Sequence, residues 1–476
     1  LADEVFTIDK ALLKEALAAA LAGGADFADI FAEHRRTTAI SLEDARVERV
    51  QSGVDSGAGV RAICGETTAY AYTNDLSREG LVAAAQTVAQ AARGGRGHGS
   101  IDLGALSSHL ELKAERRPDE VDVAAKTGAV EAADRAARAV DRDKVRQVMA
   151  GYADVIQEVV IANSDGVYVE DERIRTRLVI QVVAAAGALM QTGLETAGGV
   201  AGFELLDRER PQDLAEKAAR RAVNMLAAGP APAGRMPVVM AGEAGGTMIH
   251  EACGHGLEAD LVLKGLSVYG GKMGQEVAVP EITVIDDATL PGRYGSYRFD
   301  DEGTPAEPVV LIEKGRLADY LFDRFSARKE GRRSNGHGRR ESYQYKPITR
   351  MANTYIDRGD LPPDRIIRET GHGLLVRKMG GGQVNTTTGD FMFEVAEGYL
   401  IRDGQVGPMV RGATLTGNGP EVLRQVTMVG NDLGFGTGTC GKDGQGVPVG
   451  DAQPTMAIGE MVVGGKTGGG PRIRRL

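Results

Sequence analysis

A chain of 476 residues exceeds one typical domain, so two large units or three smaller ones are expected, with enough core to need no covalent staples. A net charge of −10 opposes broad binding to phosphate backbones, and the lack of tryptophan with only 5% aromatic residues opposes a stacking-based single-strand binder, so no direct nucleic-acid partner is expected. Three cysteines make no disulfide framework and point to a reducing compartment, the cytoplasm.

The first predicted element is a helix over Ala11–Leu21, with Leu13, Leu17 and Leu21 on one face and Gly23-Gly24 closing it. Lys14 and Glu15 interrupt its apolar run and acidic residues precede it, the wrong pattern for a secretory signal. No uncharged apolar run is long enough to span a membrane, which predicts a soluble protein. Short strands follow at Phe27–Glu33 and Thr38–Glu43, and a third where Val60, Ala62 and Cys64 alternate, then a helix over Ser77–Arg93 and a glycine-rich loop over Arg93–Gly104. An alanine-rich helix over Val121–Val140, strands near Val145–Ala150, Val155–Ala162, Gly166–Glu170 and Arg173–Ala184, and a helix from Pro211 to Ala228 repeat that order. Two related helix–strands–helix halves, 1–118 and 119–230, are therefore predicted to make an N-terminal domain of 1–230.

Gly229-Pro230-Ala231-Pro232-Ala233-Gly234 is the clearest punctuation and separates that domain from a second one over 231–476. Beyond it Met236–Met240 forms a short apolar strand, and from Ile282 onward short strands alternate with turns such as Glu313-Lys314-Gly315 and Arg402-Asp403-Gly404. The fold class expected is α+β, with a C-terminal β-rich barrel or sandwich around one inserted metal-binding helix.

That helix carries His250-Glu251-Ala252-Cys253-Gly254-His255. Neutral imidazoles are the commonest metal ligands, and a carboxylate beside one of them can reach water on a metal. Histidines five apart lie roughly 140° around a regular α-helix, so sharing one ion demands an i→i+5 π-type turn or a break near Gly254. Of seven histidines no other pair has ligand-like spacing. The third donor is open among Glu258, a downstream histidine such as His337, and a thiolate. Cys440 has glycines on both sides, which permit close approach to another element. The basic cluster Arg324, Arg328, Lys329, Arg332, Arg333, Arg339 and Arg340 reads as a solvated loop, with Arg339 or Arg340 meeting a peptide carboxylate as the competing reading. Gly380-Gly381-Gly382-Gln383-Val384 fits a tight turn as well as an edge that binds an extended peptide.

These residues, with Asp300-Asp301-Glu302-Gly303-Thr304-Pro305, Asn335-Gly336-His337-Gly338-Arg339-Arg340-Glu341-Ser342-Tyr343, Arg350-Met351-Ala352-Asn353-Thr354-Tyr355, Met428-Val429-Gly430-Asn431-Asp432-Leu433 and Cys440-Gly441-Lys442-Asp443-Gly444-Gln445, occur in an order that resembles the TldD/PmbA metalloprotease family, on its TldD side. The resemblance covers nearly the whole chain. It implies that His250, His255 and Cys440 bind zinc, that Glu251 is the general base, and that unfolded or short peptides are cut. It also implies pairing, as a homodimer or as a heterodimer with a similar subunit lacking the metal motif. Cys253 departs from the family, which usually has an apolar residue there. His337, Arg339, Arg340 and Tyr343 are taken as candidate substrate-binding residues. Two competing functions are a non-proteolytic binding protein with a structural metal, since the family has been described as modulating DNA gyrase and toxin systems, and hydrolysis of a non-peptide amide.

Overall fold

The computed structural model describes residues 6–92, 94 and 101–465. The N-terminal part is built on one antiparallel sheet in the order Thr67–Thr73, Arg46–Cys64, Phe27–Glu43, Val145–Asn163, Val167–Ala186, Leu189–Gly199. The two predicted halves meet at its centre, where Asp29 lies opposite Asn163 and Glu43 opposite Met149. Helices Lys10–Leu21 and Arg78–Ala91 cover the first half, burying Leu13, Leu17 and Val88 against Ile30 and Val60. Helices Val123–Val140 and Pro211–Ala227 cover the second, burying Val130 and Ala222 against Tyr152, Leu178 and Ile180. All four lie on one face, because Ala28, Ile30, Ile40 and Leu42 share one parity of the same strand. The opposite parity, with Phe31, Val159 and Ile161, packs on Phe299 and Tyr343 of the C-terminal part.

The strands are longer than the sequence pattern predicts. Phe27–Glu43 is one strand rather than two, and the four short strands expected between 145 and 184 are two, Val145–Asn163 and Val167–Ala186. Asp171 and Glu172 resemble a turn between two strands, yet Asp171 lies buried within one strand, paired with Arg173 and with the distant Arg298. The strand beginning at Arg46 escapes notice because residues 46–55 are exposed and carry no apolar face. The predicted loop over Arg93–Gly104 falls mostly outside the described residues, and Gly104–Ala105 pairs in parallel with Val167 and Tyr168.

In the C-terminal part, Gly373–Val384 pairs on one side with Gly234–Met240 and on the other with Asp390–Arg402. The path through Met456–Gly464 and Thr414–Asn418 closes the circle, so the β-rich domain contains a closed barrel rather than a sandwich. Residues 380–384 lie within the first of those strands. A second sheet holds Val284–Asp287, Asn353–Ile356 and the hairpin Gly434–Lys442/Gln445–Gln453, which is anchored by parallel pairing of its second arm to Asn353–Ile356. The motif residues 250–255 run between barrel and hairpin. Among the described residues no helix is long and apolar enough to cross a membrane.

Candidate metal centre

The segment after Gly234–Met240 enters one α-helical turn, Thr247–Ile249, and then widens into a π-turn over His250–Gly254. The His255 amide donates to the His250 carbonyl, an i→i+5 bond, so one extra residue in the turn returns His255 to the face of His250. Two close approaches fix this turn. The Gly246 amide donates to Asp451 Oδ1 at 3.0 Å, and a Cβ on Gly254 would lie 2.0 Å from Met351 Sδ, so only glycine fits.

His250, His255 and Cys440 are all buried, and their ligand atoms lie within 4.8 Å of one another. The imidazole centroids are 5.1 Å apart with rings nearly perpendicular, at 84°. Cys440 Sγ is 3.3 Å from His255 Nε2. Burial pushes the Cys440 thiol up, but hydrogen bonds from His250 and His255 outweigh it and hold the group at about 4, so a thiolate stands ready. Two imidazoles and a thiolate form a donor set suited to a borderline-soft divalent ion. His250 Nδ1 is buried with no hydrogen-bond partner, which leaves that nitrogen uncommitted.

The other nitrogen of His255 is spoken for: Nδ1 lies 2.9 Å from Oε2 of Glu258, a fully buried carboxylate. Burial alone would raise Glu258, but Lys442 and His255 hold it at about 2. Lys442 Nζ donates to Glu258 at 3.0 Å, to Asp260 at 2.7 Å and to the Thr349 carbonyl at 2.9 Å. Arg350, fully buried, donates to the Cys440 and Gln445 carbonyls and clamps both arms of the hairpin. Glu258 therefore sits behind His255 rather than among the converging donors. Lys442 and Arg350 were not singled out from sequence. For Lys442 a signal existed, since it follows Cys440 by two and so shares its strand face.

Glu251 is half-buried and makes no hydrogen bond with the described residues. Cys253 is buried inside the π-turn, where burial pushes its thiol up to about 12, so it stays protonated. His337 is also outside the donor group: its Nε2 lies 3.1 Å from Asp286 Oδ1 and its Nδ1 2.9 Å from the Asn335 carbonyl. The remaining candidates for substrate contact are engaged within the protein, Arg340 and Tyr343 also reaching Tyr70 and Glu33 of the N-terminal part. Arg339 donates to the Met351 and Pro448 carbonyls, Arg340 to Asp301, and Tyr343 to Glu33 through its amide and to Asp55 through its hydroxyl.

Three comparisons bear on this arrangement. Residues 28–92, 116–226 and 233–465 match, in turn, domain 1, the central domain and the C-terminal domain described for the PmbA/TldA metallopeptidases. The chain is 37% identical to a metalloprotease of Methanothermobacter thermautotrophicus over 92% of its own length and 96% of that protein. It is 37% identical to a metalloprotease TldD homolog of Haemophilus influenzae over 92% of its length and 93% of that protein. The crystal structure of TldE from Thermococcus kodakarensis superposes with a TM-score of 0.74 at 19% identity, covering 92% of this chain and 97% of that one, and so shares the fold. With all three domains matched in order and relatives alike over nine-tenths of its length, the chain belongs to the PmbA/TldD metallopeptidase family.

Proposed function

We propose that the chain is a zinc-dependent peptidase in which His250, His255 and Cys440 hold the ion and Glu251 is the general base, acting on unfolded or short peptides. The convergence of two buried imidazoles and one low-pKa thiolate, with a half-exposed glutamate next to His250 in the chain, is the observation that carries this reading. Zinc bound there supplies Lewis-acid polarisation of a peptide carbonyl and lowers the pKa of water. Glu251, adjacent to His250 and free of protein partners, takes the proton of the attacking water and delivers it to the leaving amine. Cys440 serves as the thiolate donor once His250 and His255, whose protonated rings hold the thiol low, release their own protons to the solvent, and Glu258 holds His255 by Nδ1 so that Nε2 faces Cys440.

A purely structural metal would call for a fourth protein donor, and His337 and Cys253 do not supply it. The deciding experiment measures zinc content and cleavage of a denatured protein by wild type and Glu251→Gln. Retained zinc with turnover lost by about a hundredfold or more is expected for removal of a general base. Undiminished cleavage by the variant overturns the assignment.

A further inference from the structure

Between the N-terminal sheet and the hairpin Gly434–Lys442/Gln445–Gln453 lies a cavity of about 100 Å³ whose walls include Arg35, Arg173, Arg175, Arg339 and Arg340. It is separate from the metal centre. Cys440 pairs across the hairpin with Val447 and both point into the C-terminal core, whereas Gly446 and Pro448, which line the cavity, have the opposite parity. The space is several times what one water needs, and an interior cavity this polar does not stay empty.

Its charge is not balanced by the protein. Arg173 is matched by Asp171 and Asp301. Arg175 and Arg339, at 8% and 4% exposure, form no ion pair among the described residues, and donate to the carbonyl oxygens of Tyr294, Ser296, Met351 and Pro448. Nε of Arg35 and Nε of Arg340 are buried with no partner. Burial, with Arg173 and Arg339 nearby, draws the Arg175 pKa down to about 9; a guanidinium does not give up its proton readily, so the direction reports charge that lacks a counterpart. Asp300, also on the wall, is raised by burial and Glu302, and its carboxyl oxygens already accept the amides of Glu302, Thr304 and Gly338. Glu341 is exposed and accepts the Gly446 amide. Unpaired buried cations are costly, and the cheapest remedy is an anion whose oxygens meet several guanidinium forks.

We propose that this cavity binds a small oxyanion, a phosphate or carboxylate group, between Arg175 and Arg339 with Arg35 and Arg340 at its sides. Bound there, the anion ties the strand Val167–Ala186 to the second arm of the hairpin, on the face opposite the thiolate. The inference does not rest on the metal or on peptidase activity.

The test is calorimetric titration of the whole chain with inorganic phosphate, and separately with succinate, against chloride at matched ionic strength. Saturable binding of at least one oxyanion at one site per chain is expected; the phosphate and succinate arms identify which group is preferred. Arg175→Gln and Arg339→Gln are each expected to weaken binding about tenfold or more, the loss of a charged hydrogen bond. His255→Ala is expected to bind as wild type does, and loss of binding there would place the anion at the metal centre and overturn the proposal. Equal response to oxyanions and chloride, or unchanged affinity in both arginine variants, overturns it as well. If neither buried-arginine variant folds, the half-buried Arg35→Gln decides: weakened binding supports the site and unchanged binding refutes it.

Discussion

Glu258 grips Nδ1 of His255 at 2.9 Å while Nε2 of the same ring faces Cys440 Sγ at 3.3 Å. One imidazole is thus held between a carboxylate and a thiolate, which fixes its orientation. Carboxylate partners of ligating histidines commonly contribute about 10–100-fold in metal affinity. Glu258→Gln is therefore expected to lower zinc affinity by about that factor, read by competition with a chelating dye, while leaving the far-ultraviolet circular dichroism unchanged. Lys442→Met should shift affinity in the same direction by less, because Glu258 would keep its contact to His255 but lose a buried countercharge. Unaltered affinity in both variants would reduce Glu258 to a structural role.

Removal of the thiolate tests the hairpin's contribution. Cys440→Ser keeps the shape of the side chain but replaces a group poised at about 4 by a hydroxyl that does not ionise near neutrality. Zinc content after dialysis should fall below one-tenth of the wild-type value, whereas Cys253→Ala should retain it, since that thiol is pushed up to about 12. A Cys440→Ser protein that keeps its full metal would remove the hairpin from the coordination sphere.

The metal turn was legible in the sequence because helical geometry is local: histidines five apart cannot share an ion in a regular helix, and the π-turn over His250–Gly254 is the resolution found. A mixed α+β fold ending in a β-rich domain was legible from the alternation of elements. Strand lengths were not, because whether Asp171 ends a strand or lies buried in one depends on Arg298, more than a hundred residues away. The same non-locality hid the use of Arg340 and Tyr343 as bridges between the two parts, the holding of Arg339 by the Met351 and Pro448 carbonyls, and the pairing of His337 with Asp286. Glu258 was visible as a candidate ligand. Only the direction of the His255 ring, set by tertiary packing, places it behind the imidazole.

Asp323 gives a pH dependence that can be isolated by subtraction. Burial and the neighbouring Glu302 raise this carboxyl to about 6 despite donation from the Ser326 amide. A carboxyl raised on folding binds its proton more tightly in the native state, so its stabilisation is full below the unfolded value near 3.8 and is lost as pH rises through about 6. Between pH 5 and pH 7 wild type should lose about 1 kcal/mol relative to Asp323→Asn, followed by urea unfolding at both pH values. A difference between the two proteins that stays constant across this window would contradict the raised value.

A side chain on Gly254 would run into Met351, and the pair can be tested as a unit. Gly254→Ala places a methyl 2.0 Å from Met351 Sδ, and Met351 is fully buried and has little room to retreat. Overpacking of this kind costs about 1–3 kcal/mol, and here the strain falls on the turn that returns His255 to His250. The single variant should therefore lose both thermal stability and zinc. Adding Met351→Ala removes the clash at the expense of a cavity, so the double variant is expected to regain zinc more fully than stability. A single variant with normal metal content, or a double variant no better than the single one in zinc binding, would show that the π-turn is held by something other than this contact. The Gly246–Asp451 hydrogen bond would be the next restraint to remove.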